Sequence, residues 1–232
     1  MGSRSIRILV ALLGGLLAFG SPESIWADGV GSVSGRVVFL GDAPPAKKVK
    51  VTKDNQKCGS EVVDEELVVS SDKGIKNAVV SVVGIKGKAE ASPVLDQKGC
   101  VFSPRVVVVP VGTPLDILNN DGILHNFHTY STKNPALNKA QPGFKKKMSE
   151  TFGQAETFKV TCDAHPWMTG WVVVTDSAHA AASDAEGVFK FSNVPAGNQT
   201  LEIWHEALGK VSKQISVKAG EETKVTIELS KK

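Results

Sequence analysis

Along most of the chain, apolar and polar positions alternate with a period of two. Phe158, Val160 and Cys162 alternate with Thr157, Lys159 and Thr161; Val225, Ile227 and Leu229 alternate with Thr226, Glu228 and Ser230. Leu115 and Ile117 share one strand face, as do Leu201, Ile203 and His205. Successive side chains of a strand point to opposite faces, so each such set predicts a strand with one buried side. Near-continuous apolar runs at Ala78–Val83, Val106–Val109 and Val172–Val174 predict strands buried on both faces, and Val188–Phe191 a further strand. Turn chemistry separates these segments at Asp72-Lys73-Gly74, Val111–Pro114, Asn120-Asp121-Gly122, Asp184–Gly187 and Asn193–Gly197. Near the start, Val37-Val38-Phe39 and the alternating Val49 and Val51 flank Pro44-Pro45. Short strands with turns every ten or so residues predict an all-β chain of sandwiches. Residues 131–152 break the pattern: they are polar, contain Pro135 and Pro142 and carry Lys145-Lys146-Lys147. That stretch is expected to be a long connection with a short helix.

Composition sharpens this picture. The 232 residues include 31 valines, 22 glycines and 11 prolines, the usage of strands and turns. A 41% hydrophobic and 22% charged chain is neither disordered nor an integral membrane bundle. The net charge of +3, from 27 basic and 24 acidic side chains, lacks the basic excess of a dedicated nucleic-acid binder. Arg4 and Arg7 precede an uncharged run, Ile8–Phe19, too short to span a bilayer as a helix but long enough for the apolar part of an export signal. Ala27 offers a small residue for cleavage, so residues 1–27 are expected to be a signal peptide, the alternative being an uncleaved anchor. The expected location is periplasmic or otherwise exported, with no stable membrane insertion after cleavage, where disulfides persist.

The chemistry concentrates in Cys162-Asp163-Ala164-His165-Pro166-Trp167-Met168. A thiolate and a thioether are soft ligands, and imidazole suits copper; two His, one Cys and a weak axial Met make the blue-copper set. This segment lacks a second histidine, and His125, just after the Asn120-Asp121-Gly122 turn, fits that need. Strand periodicity turns Cys162 toward the core with Phe158 and Val160, and leaves His165 and Met168 on a loop at the strand end. The alternatives are a buried structural thiol, a zinc site in which Met168 is idle, and a Cys–His nucleophile pair without a visible oxyanion hole.

The order His125…Cys162-x-x-His165-x-x-Met168, with Thr169-Gly170-Trp171 after it, resembles the ligand loop of amicyanin. Asn119–Asn126 is similar to the first-histidine segment of amicyanin and plastocyanin. The resemblance to this cupredoxin family runs from about Lys76 to Thr175. It implies a Greek-key β-sandwich holding one type 1 copper ion, with His125, Cys162 and His165 as equatorial ligands and Met168 axial. It also implies that Asn126 ties the two ligand loops together. The expected function is a single-electron carrier between periplasmic redox proteins, with no catalytic residues, and His165 near the surface as the electron's exit. Alternatives are a copper-binding or storage protein and a metal-stabilised scaffold or adhesion sandwich. His128 lies three residues after His125, hence on the opposite strand face, and is expected to serve the surface or a partner contact.

Gly31–Phe39 and Ser183–Gly197 resemble segments of carboxypeptidase regulatory-like domains, which are transthyretin-like β-sandwiches. The expected division is therefore a signal at 1–27, a β segment at 28–75 that packs with the C-terminal sandwich, a cupredoxin domain at 76–176 and a regulatory-like sandwich at 177–232. With Cys162 assigned to metal, Cys58 and Cys100 remain for a disulfide; the alternative is two free thiols. Lys145-Lys146-Lys147 reads as a solvated run or as a docking patch for a partner with an acidic face. Trp167 and Trp171 are expected to border the metal.

Overall fold

The computed structural model describes Gly2, residues 29–87 and residues 93–231. The expected signal at 1–27, apart from Gly2, lies outside the described residues. Among the described residues, eighteen strands and one helical turn follow in order. They are β1 Val30–Phe39, β2 Lys47–Lys50, α1 Asn55–Cys58, β3 Glu61–Asp64, β4 Val79–Val82, β5 Val94–Gln97 and β6 Phe102–Ser103. Next come β7 Val106–Pro110, β8 Pro114–Asn119, β9 His125–Thr129, β10 Asn138–Gln141, β11 Lys147–Thr151 and β12 Glu156–Thr161. The chain closes with β13 Thr169–Thr175, β14 Ala180–Ala182, β15 Val188–Pro195, β16 Gly197–His205, β17 Gly209–Val217 and β18 Glu222–Leu229. The protein is all-β.

Two sandwiches account for nearly all of it. In the first, the sheet β10-β9-β12-β13-β7 faces the sheet β11-β8-β5-β6. Phe127, Phe158, Val160 and Val172 from one sheet meet Leu95, Leu115, Ile117 and Met148 from the other. The alternation read in the sequence is what aims them inward: in β12, Phe158 and Val160 are buried while Thr157 and Lys159 are exposed. In the second sandwich, β15-β1-β18 faces β14-β4-β16-β17 around Val33, Val37, Phe191, Leu201, Ile203 and Ile227. β1 runs parallel to β18 and antiparallel to β15, so the first strand of the described chain is completed by its last.

Three sequence expectations change here. The strand at Val79–Val82 pairs with β16 and β14, and therefore belongs to the second sandwich and not to the unit drawn from residue 76. A run buried on both faces is the same in either sandwich, so its sequence does not say which sheet receives it. The segment 28–75 divides: β1 joins the second sandwich, while the hairpin β2-β3 and α1 lean on the first through Val51 and Cys58. Finally, residues 131–152 hold no helix. They form β10 and β11, each at the edge of a sheet.

The two sandwiches meet through Val79, Val106 and Val173, with Trp171 set edge-on to Trp204. Arg105 crosses this junction: it donates to Asp64 at 2.9 Å and to Glu206 Oε2 at 3.0 Å, and Trp171 Nε1 donates to the same Glu206 oxygen at 2.8 Å. Burial opposes the charge on Arg105, but Glu206 and Asp64 outweigh it and raise its pKa. Among the described residues, no helix is long and apolar enough to cross a membrane.

Candidate metal centre

β12 delivers Cys162 one residue beyond its end, on the face that buries Phe158 and Val160. The loop then folds back on itself: Cys162 N–H donates to the Met168 carbonyl at 3.3 Å, and Met168 N–H donates to the His165 carbonyl at 2.9 Å. β9 begins with His125, inward-facing like Phe127 and Thr129. The result brings three donors together. Cys162 Sγ lies 3.8 Å from His125 Nδ1 and 3.7 Å from His165 Nδ1, and the two Nδ1 atoms are 3.0 Å apart. All three residues are buried, and Met168 beside them is 0% exposed. Asn126 N–H donates to Cys162 Sγ at 3.2 Å, which favours the thiolate.

Each histidine is held from behind by a carboxylate. His125 Nε2 lies 3.0 Å from Asp121 Oδ2, and His165 Nε2 lies 2.9 Å from Asp54 Oδ2. A carboxylate on Nε2 places the ring proton there and leaves the Nδ1 lone pair to face the thiol. Two buried Nδ1 lone pairs 3.0 Å apart repel one another unless they share a cation, and the sulfur within 3.8 Å of both completes the donor set, so the residues fit a metal ion. Their softness suits copper better than a hard cation. Burial pushes the His125 pKa down and the Cys162 pKa up. In the metal-free chain this favours neutral imidazole and a protonated thiol, so metal binding releases the thiol proton.

Asp121 also accepts from Gly99 N–H at 2.7 Å and Cys100 N–H at 2.8 Å, so the turn after β5 and the turn before β9 are locked together. Cys100 is disulfide-bonded to Cys58, with Cα atoms 5.4 Å apart. That bond holds α1 against the ligand loop, and Cys58 N–H donates to the Asp54 carbonyl at 2.9 Å. Trp167 spans the same region: its ring is 5.2 Å from His165 and its Nε1 donates to the Cys100 carbonyl at 3.0 Å. Trp171 instead lies at the junction between the sandwiches.

His165 is therefore not at the surface. It is 0% exposed beneath Asp54, which corrects the expectation that it forms an open exit. Besides its N–H bond to Cys162, Asn126 donates from its side chain to Asn138 Oδ1 at 3.1 Å, and Asn138 donates to Asp163 Oδ2 at 2.7 Å. His128 points away from the centre, 2.8 Å from Asp163 and stacked on Tyr130. Two supports escaped the sequence reading. Asp121 was legible only as a turn residue, although its position four before His125 is a local signal. Asp54 is 111 positions from His165, a separation that no local pattern spans.

No protein-family model matches the chain, and no curated protein matches it. Among solved structures, 40% of the chain is similar to a copper-containing nitrite reductase from Thermus scotoductus (23% identity, TM-score 0.34), spanning about a quarter of that chain. A methionine-to-alanine variant of amicyanin in its Cu(I) form is 25% identical over 41% of this chain and 98% of its own, with a TM-score of 0.33. A purple cupredoxin from Nitrosopumilus maritimus is 21% identical over 36% of this chain and 99% of its own, with a TM-score of 0.31.

Proposed function

We propose that this is an exported cupredoxin-type protein that binds one copper ion in its first sandwich and carries single electrons between redox proteins, without catalysing a reaction. The observation that carries this reading is the buried convergence of His125 Nδ1, Cys162 Sγ and His165 Nδ1 within 3.0–3.8 Å, with Met168 buried alongside. His125, Cys162 and His165 would hold the ion, with Met168 as a further, weaker ligand. Copper, when bound, would supply reversible one-electron chemistry. The chain's own residues do the rest. Asp121 and Asp54 fix the two rings, and Asn126 N–H stabilises charge on sulfur. Phe127 and Met168, both fully buried, help to exclude water, so little has to reorganise when charge changes.

The test is titration of the full chain with Cu(II). An intense visible band that reductant bleaches, and that Cys162→Ala abolishes while the fold persists, supports the reading. A band that survives Cys162→Ala moves the site elsewhere. The closed position of His165 favours a second reading, copper storage, which predicts a centre that reduces slowly with every soluble donor.

A further inference from the structure

His165 lies under Asp54, whereas His125 is joined through Leu124 to an exposed edge at one end of the first sandwich. Four turns stack there in a row. The turn carrying Phe144 lies against the turn before β9, where Gly143 is so close to the Gly122 carbonyl that an added Cβ would sit 2.0 Å from its oxygen. That turn bonds the next one through Asn120 N–H to the Gln97 carbonyl at 3.1 Å and through Asp121. Cys100 then bonds Cys58 of α1. Along this row Lys53, Lys57, Lys98, Lys145 and Lys146 are exposed, and among the described residues none of them makes an ion pair. Of the carboxylates at this end, Asp121 is buried against His125, Asp96 takes Asn120, and Asp54, though partly exposed, is engaged by His165. Phe144 is 85% exposed and Leu124, bonded directly to buried His125, is 50% exposed.

We infer that this lysine row around Phe144 and Leu124 docks an acidic redox protein, with electrons passing at the His125–Leu124 edge. The inference rests on the copper reading above and names the surface and partner chemistry that reading leaves open. A net charge of only +3 makes the local excess a feature of this end and not of the whole surface. A second copy of the chain would set lysines against lysines, so self-association is disfavoured. In the copper-loaded chain the transfer would oxidise the partner by one electron and reduce the bound Cu(II) by one, with no proton or bond exchanged.

The experiment uses a reduced plant-type ferredoxin as the acidic donor. Stopped-flow rates on the copper-loaded full chain should fall steeply with added salt, and Lys145→Glu/Lys146→Glu should slow them by about tenfold or more at low salt. Lys218→Glu/Lys224→Glu, on the second sandwich with the same change of charge, should alter them far less. Binding of oxidised ferredoxin to the metal-free chain should weaken with Lys145→Glu/Lys146→Glu and with Phe144→Ser. Equal effects of the two charge reversals, or unchanged binding with Phe144→Ser, would overturn the docking surface while the visible band remains. Failure to form that band removes the copper reading, and the docking inference with it. Phosphatidylglycerol vesicles bound more tightly than ferredoxin through the same residues would reassign the surface to a membrane.

Discussion

At the scale of single residues, the centre assigns different work to side chains of the same type. His125 and His128 are separated by three positions and turn to opposite faces of β9, one toward Cys162 and one toward Asp163 and Tyr130. His125→Ala should therefore weaken copper binding severely, and His128→Ala should leave it near wild type, as read by competition with a copper chelator. The reverse order would mean that the strand faces are misassigned. Met168→Leu should keep copper and colour but raise the reduction potential. A thioether is a weak copper ligand, so His125, Cys162 and His165 would still hold the ion without it, while its lost electron donation would favour Cu(I). Leu nearly conserves the volume of Met, so the packing cost should stay below about 1.5 kcal/mol. An unchanged potential in redox titration would make Met168 a packing residue only.

Elements show what the sequence could and could not disclose. Cys162, His165 and Met168 were legible because a ligand loop is local, and His125 because a turn and a strand frame it. The edge strands β10 and β11 were not. Only Gln141 is buried in the first and only Met148 in the second, so neither carries the apolar alternation that marks a half-buried strand. An edge strand has one neighbour and is kept polar to resist further pairing, which removes the signal. The covering element Val51–Ser60 was hidden for a different reason. Its role depends on Asp54 reaching His165 and on the Cys58–Cys100 bond, both long-range. Replacing Cys58 and Cys100 by Ser opens a loop of 42 residues. The chain-entropy estimate for that length is about 4 kcal/mol of stability. Because α1 also positions Asp54, copper affinity should fall by about 10–100-fold, the usual cost of losing a support behind a ligand. Chemical denaturation and chelator competition on the same variant check both. A variant that loses stability but keeps wild-type affinity would show that Asp54 stays in place without the bond.

At the scale of the whole molecule, stability should depend on pH through groups far from the centre. His205 is buried in the second sandwich, on the core face of β16 with Leu201 and Ile203. Burial, and more weakly the charge of Arg105, lower its pKa from 6.5 to about 4, against a smaller upward pull from the Lys76 backbone. The ring is thus neutral in the folded protein at pH values where it is half or more protonated in the unfolded chain. The unfolded state binds the extra proton, so stability is full above pH 6.5, falls as pH drops toward 4, and changes no further from this group below that. At about 1.4 kcal/mol per pKa unit the loss is about 3 kcal/mol. Below that window a second loss sets in from Glu156. Burial opposes its charge, but Ser131, Thr132 and Asn134 donate to its carboxylate and together lower its pKa, so that stabilisation fades as the carboxylate protonates. Denaturant unfolding of wild type and His205→Gln, in the same metal state, separates the two. The variant should be less stable at pH 7, since Gln leaves an imperfect fit beside Ala207 N–H, yet its curve should run flatter than wild type between pH 6.5 and 4 and rejoin the wild-type slope below 4. Parallel curves across the whole range would mean that His205 is protonated in the folded sandwich and that acid sensitivity arises elsewhere.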